Sequence, residues 1–249
     1  MEIQDEWSYY RNIEPDDVIY KVIPLKYIID MYRHHHILIQ NVQKWEDVYE
    51  NYFLKQNLYV GDTKVDSVDV QQCFYGMSWS RLPESDAMWR IYSPFDKHEE
   101  HPENIGVCVS TTARKLLHCF WGKLFDSPAI VGKVEYKSQE DIERYLHQLG
   151  ILGVHVGEEI RISLFTKREE FRHETEARII ITIPQDIPNK QESYFVDFEP
   201  IDLFDCFVLD PRINSNQEAH IRLSLESVGI IDNVYKSLLY TFNPIDIHI

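Results

Sequence analysis

An α+β fold, a single domain with a mixed, largely antiparallel β-sheet and flanking helices, follows from three observations on the 249-residue chain. Strand-like and helix-like segments are intermixed without regular β-α-β alternation, which argues against a doubly wound parallel sheet. No internal repeat, low-complexity tract or Pro/Gly/Ser-rich linker divides the chain. Hydrophobic residues at 44% and aromatics at 13% are enough for a substantial core. Residues 1–17 are expected to be an irregular lead-in, and residues 18–249 one domain.

The elements follow in order. Val18–Ile23 reads as a first strand, stopped by Pro24, which can open a helix. In that helix Leu25, Ile28, Ile29 and Tyr32 keep the i, i+3, i+4, i+7 spacing. His35–Gln40 is a short β-like run. Lys44–Leu54 sets acids among aromatics at helical spacing, and Gly61–Asp69 is loop-like. Gln71–Ser80 is expected to be a strand and Pro83–Tyr92 a short helix. Ile105–Ser110 is a clear strand, and Thr111 or Thr112 can cap a helix over Ala113–Lys123. Ala129–Tyr136 is another strand. Ser138-Gln-Glu-Asp141 is a capping-box-like start to an amphipathic helix that ends at Gly150. Gly153–Ile162 has no clear type. Ser193–Phe198 and Asp205–Leu209 are strand-like, with a turn at Asp210-Pro211. Ser215-Asn-Gln-Glu218 is a second capping-box signal, for a helix that ends at Gly229. Val234–Thr241 reads as a last strand.

The formal charge is 25 − 41 = −16. That field repels a phosphate backbone, so non-specific nucleic-acid binding is not expected. The acidic N-terminal segment has no apolar h-region and is not expected to be a signal peptide, and no apolar run approaches the ~20 residues needed to cross a bilayer. Cys73, Cys108, Cys119 and Cys206 show no Cys-x-x-Cys spacing. Reduced thiols in a cytoplasmic protein are therefore expected, with no membrane partner.

Phe165–Ile183 carries the densest chemistry. It begins as a short charged helix and turns into a β-prone run that ends at Pro184. Glu174, Glu176 and Arg178 stand at the changeover, at a spacing of two. In a strand such residues share a face, with Cα atoms roughly 6.6 Å apart per step. Either they form a site or they neutralise one another as a structural ion cluster. In a site, one carboxylate would grip a ribose hydroxyl and stabilise an oxocarbenium-like centre, and the other would act as base or orient the nucleophile. Arg178, Lys167 or Arg168 would hold a phosphate.

Met88, Trp89 and Tyr92 could stack a base or nicotinamide, or could be plain core. Tyr20 and Lys21, at the first strand, could donate to or hold a phosphate, or could simply lie at the surface. Trp45, Glu46, Asp47 and Glu50 suit a solvated face, unless an acid there closes over a binding site. His34–His36 and the His98–His101 loop have no evident ligand set, and no metal site is expected. No Gly-x-Ser-x-Gly elbow or Gly-rich phosphate loop is present.

Several spaced motifs recur in a recognisable order over roughly residues 18–240. They are Tyr20-Lys21, Trp45-Glu-Asp47 with Glu50, Cys73, Trp79, Glu84–Tyr92, Gly106–Thr112, Val134-Glu-Tyr136 and Lys167–Arg178. This order resembles a large bacterial family described as a domain of unknown function. That family is marked by a Met-Trp-x-x-Tyr helix, a Gly-Val strand and a Glu-x-Glu-x-Arg strand. The resemblance implies a phage-defence or toxin-like setting. More distantly, the Glu-x-Glu strand is similar to the late strand of ADP-ribosyltransferases. Tyr20-Lys21 stand where that superfamily has an early His or Arg, and Val109–Thr112 only loosely follows a Ser-Thr-Ser strand. The implied activity is ADP-ribosyl transfer or glycosidic cleavage of NAD. Glu174, Glu176 and Arg178 would be catalytic, and Tyr20, Lys21, Trp79, Met88, Trp89, Tyr92, Lys167 and Arg168 would line a cleft between the late strand and the Met88–Tyr92 helix. The alternative is a non-catalytic module that binds a nucleotide or a protein partner.

Overall fold

A computed structural model describes residues 9–47, 49–60, 62–65, 68–96, 102–152, 156–199, 203–245 and 247. The fold is α+β, with a mixed, mostly antiparallel sheet. The chain divides into two compact units, each gathered from three separated segments. The first comprises Met1–Ile19, His36–Arg81 and Thr112–Phe198; the second comprises Tyr20–His35, Leu82–Thr111 and Glu199–Ile249.

In the first unit, β1 (Tyr10–Arg11), β8 (Ala129–Lys133), β11 (Glu176–Thr182) and β6 (Phe74–Ser80) lie side by side in that order. β11 runs antiparallel to both neighbours, while β1 and β8 are parallel. Being central, β11 is covered on both faces, which is why Ile179, Ile180 and Ile181 follow one another without polar alternation. β3 (His36–Asn41) pairs antiparallel with β6 and with β12 (Ser193–Asp197). β4 (Leu58–Val60) and β5 (Thr63–Val65) form a hairpin, and β9 (Glu135–Lys137) pairs parallel with β10 (Thr166–Arg168). Around these strands stand α2 (Val68–Gln71), α4 (Ala113–Phe120), α5 (Gln139–Leu152) and α6 (Val156–Leu164). Thr112 caps α4 by accepting from the Lys115 N–H at 3.2 Å, and Ala113, Leu116, Leu117 and Phe120 form its buried stripe.

In the second unit, β7 (Gly106–Thr112) lies between β2 (Val18–Pro24) and β13 (Cys206–Leu209), and β14 (Val234–Lys236) follows β13. β13 is antiparallel to β7 and parallel to β14. The helices of this unit are α1 (Leu25–His34), α3 (Asp86–Tyr92) and α7 (Ser215–Glu226). The α3 cap is Ser85, whose hydroxyl accepts from the Met88 N–H at 3.2 Å.

Several sequence expectations are corrected. Lys44–Leu54 is not a helix: a 3-10 turn over Val42–Lys44 is followed by irregular turns. The Asp47 carboxylate accepts the Tyr49 N–H at 3.1 Å, and Asn51 takes a left-handed conformation (φ 54°); both divert the backbone from a helix. Gly153–Ile162, left without a type, contains most of α6. The strand expected over Ala129–Tyr136 is two strands, β8 and β9, split at Val134. The capping box of α7 begins at Asn214 rather than Ser215, with Gln217 as its reciprocal partner. His98–His101 lie outside the described residues. Among the described residues, no helix is long and apolar enough to cross a membrane. The four cysteines are free, and burial pushes the thiols of Cys108 and Cys119 up to about 12.

Candidate functional site

The densest charged cluster of the first unit is built where β10 leads, through a 3-10 turn over Glu169–Glu174, into β11. Thr175, the residue between turn and strand, is left-handed (φ 45°, ψ 52°), a strained state for a β-branched side chain. Glu174 is therefore not a strand residue, contrary to the even spacing of the sequence. Glu176 and Arg178 are on β11, opposite Ser80 and Ser78 of β6, and share a face as expected.

Arg178 is fully enclosed. Its Nε donates to Glu176 Oε1 at 2.9 Å and its Nη2 to Glu176 Oε2 at 3.1 Å. Nη2 also donates to Glu50, and Nη1 to the Leu164 carbonyl at 2.7 Å. The Trp45 ring covers the guanidinium, with the centroid 4.2 Å from Cζ. Trp45 can lie there because β6 has Gly76 beneath it. A Cβ at Gly76 would fall 2.6 Å from the indole.

Lys167 collects the acids that Arg178 leaves partly engaged. Its Nζ lies 2.7 Å from Glu174 Oε2 and 3.4 Å from both Glu176 Oε2 and Glu50 Oε1, above the Phe171 ring. Three carboxylates thus face two cations. Burial alone would raise the Glu176 carboxyl, but Arg178 and Lys167 outweigh it and hold the group at about 2. Burial likewise opposes the charge on Lys167, and Glu176, Glu174 and Glu50 overcome it and hold the amine above its usual range. The Glu176 N–H donates to the Tyr136 hydroxyl at 2.7 Å, whose phenol burial pushes up to about 12.

A pH dependence follows. A carboxyl near 4.5 when unfolded and near 2 when folded contributes its full stabilisation above the unfolded value, and loses it as pH falls through that window. The shift corresponds to about 3 kcal/mol. Urea unfolding of the wild type and of Glu176→Gln should therefore show a stability gap that narrows by about two-thirds of that amount between pH 5 and pH 2.5. A gap independent of pH would mean that Glu176 does not titrate in that window.

The remaining expected site residues separate. Arg168 binds Asp47, with Nη2–Oδ1 at 2.8 Å and Nε–Oδ1 at 3.1 Å, and lies over the rings of Tyr49 and Phe171. Trp79 is opposite Ala177, one residue out of step with Ser78 and Ser80, so its buried side chain lies on the other face of β6 from the carboxylates. Tyr20, Lys21, Met88, Trp89 and Tyr92 belong to the second unit. There Met88 and Trp89 are buried with Val22 and Cys108, and Tyr20, Leu82 and Val208 pack against them. The Trp89 indole donates to Glu84 at 3.0 Å. Tyr92 is exposed.

Glu50 and Trp45 complete the cluster, which corrects the solvated face expected for them: Glu50 is buried against Arg178 and the Trp45 ring covers its guanidinium. Their motif position was visible, but the contact with Arg178 bridges 128 residues, which local periodicity does not encode.

No family model matches the chain, and neither does any curated protein. Among solved structures, the chain is similar to "Thermus sp. 2.9 DarT in complex with NAD+", at 11% identity and a TM-score of 0.39, covering 91% of this chain and 97% of that one. It is also similar to "Thermus sp. 2.9 DarT in complex with ADP-ribosylated ssDNA", at 10% identity and a TM-score of 0.38, covering 91% and 95%.

Proposed function

We propose that this chain is a cytoplasmic nucleotide-using enzyme that breaks an N-glycosidic bond, by ADP-ribosyl transfer or NAD cleavage, in a bacterial defence or toxin-like setting. The supporting observation is the convergence of three carboxylates, Glu50, Glu174 and Glu176, on Lys167 and Arg178, with Glu174 at the more open side. A preorganised carboxylate beside such a cluster favours the cationic ribosyl group that develops when the glycosidic bond breaks. In that step the bonding pair leaves with the base, and C1′ then takes an electron pair from water or an acceptor nucleophile, whose proton is released to solvent.

Glu176 is held ionised and nearly closed off, so it is not a proton donor. Its role is to fix Lys167 and Arg178. Glu174 is the most accessible of the three acids, with a side chain 18% exposed against 4% and 7% for Glu176 and Glu50, and is the carboxylate that meets the ribose. Arg178 has no access to a phosphate, since its side chain is 0% exposed. Arg168, 24% exposed, is better placed for that role.

One observation favours a second reading, a binding module in which the cluster is structural: the Arg178 guanidinium is enclosed by protein partners alone. Purified protein incubated with NAD, with and without cell extract as a source of acceptor, separates the two. Under the enzymatic reading the wild type releases nicotinamide. Glu174→Gln then loses at least 100-fold in rate while keeping its melting temperature and its affinity for NAD. No release under either condition, or full activity in Glu174→Gln, overturns the enzymatic reading. Retained NAD binding without turnover would establish the module.

A further inference from the structure

The second unit contains a cavity of about 420 Å3, apart from the carboxylate cluster, in the size range of small-molecule sites. Tyr32, Phe204 and Phe207 contribute to its lining. Their ring centroids are 6.0 to 6.3 Å apart, and each ring packs against the other two. Glu199, Asp205 and Asp232 contribute carboxylates. Neither lysine nor arginine stands among the described lining residues, and His35 is the remaining base.

The walls are fixed by backbone geometry. After α7, the Gly229 N–H donates to the Glu226 carbonyl at 2.9 Å and the Ile230 N–H to the Leu225 carbonyl at 3.0 Å, with Gly229 left-handed (φ 85°). Asn233 is also left-handed (φ 58°), and its carbonyl accepts the Phe207 N–H at 2.9 Å. On the α1 side, His35 caps the helix in the same conformation, its N–H donating to the Met31 carbonyl.

The three acids come from three places: the residue following Phe198, the approach to β13, and the loop before β14. They do not converge as metal ligands do. Spread anions around an aromatic floor suit an extended cation whose methylenes lie on the rings and whose ammonium groups reach separate carboxylates. We propose that this cavity binds a small aliphatic polyamine.

Isothermal titration of the full chain with spermidine tests the proposal, with 1,8-octanediol as the neutral probe. Saturable one-to-one binding is expected, weakening as salt is added. Glu199→Gln/Asp232→Asn should weaken it at least tenfold. Both acids are exposed, and circular dichroism should show an unchanged fold. Glu14→Gln/Glu140→Gln removes the same charge elsewhere and should leave the affinity unchanged. Tyr32→Leu keeps an apolar wall without the ring face and should weaken binding several-fold. The proposal is overturned by absent or non-saturating heat, by equal binding of the diol, or by equal losses in the two double variants.

Discussion

Arg178→Ala is expected to destabilise the protein by about 3–5 kcal/mol, the range for breaking a buried ion pair from one side. The substitution removes the partner of Glu176 and Glu50, orphans the Leu164 carbonyl and opens a space beneath Trp45. Most of the loss comes from the carboxylates left behind. Lys167 can neutralise one of them, but it lies 3.4 Å from both and already holds Glu174 at 2.7 Å. Urea unfolding followed by tryptophan fluorescence measures the change, with Trp45 as a neighbouring reporter. A loss under 1 kcal/mol would mean that water or rearrangement satisfies the acids, and that the cluster is softer than its geometry indicates.

Asp210→Ala should cost a similar amount, about 3 kcal/mol, in the second unit. Asp210 is fully buried and ties three elements together. It accepts from the Ser93 hydroxyl at 2.6 Å, the Arg212 N–H at 2.9 Å and the Arg212 guanidinium at 2.5 and 2.9 Å. Arg212 in turn donates to the carbonyls of Trp89 and Ser93 at 2.8 Å each, closing the C-terminal end of α3. Without Asp210 the guanidinium loses its counter-charge, and Ser93 loses its acceptor while still receiving the Gly106 N–H at 2.8 Å. Asp210→Asn keeps the volume and one acceptor oxygen and should cost less than the alanine variant. Equal losses in the two variants would assign the effect to packing rather than charge. The measurement is the urea midpoint at constant slope.

Elements were legible where one local signal was unopposed. Thr112 before a clean apolar stripe marked α4, and the run of isoleucines marked β11. The Asp210-Pro211 turn was also visible, but not that its carboxylate organises α3, because Ser93 lies 117 residues away. Lys44–Leu54 misled because its spacing is helical while its side chains answer to different partners. Trp45 and Glu50 reach Arg178, Asp47 reaches Arg168, and Tyr52, Phe53 and Leu54 are buried in succession, which one helix face does not allow. The same limit applies to the site. The sequence marked Glu174, Glu176 and Arg178 together, but a shared parity implied one straight strand. The left-handed Thr175 breaks that parity, so that turn and strand approach Lys167 from different directions. Trp79 shows the converse: a shift of one residue along β6 puts it on the opposite face.

The interleaving of the two units bears on how the chain is made. The second unit joins Tyr20–His35 to Glu199–Ile249, so that unit cannot close until the residues from Glu199 onward have left the ribosome. Neither unit exists as a continuous stretch that could be trimmed out, duplicated or fused elsewhere as a cassette. Contacts so distant along the chain make for slow, concerted acquisition of structure, with apolar strands waiting unpaired during synthesis. Unpaired apolar strands of this kind are the surface on which partly made chains aggregate and which chaperones cover.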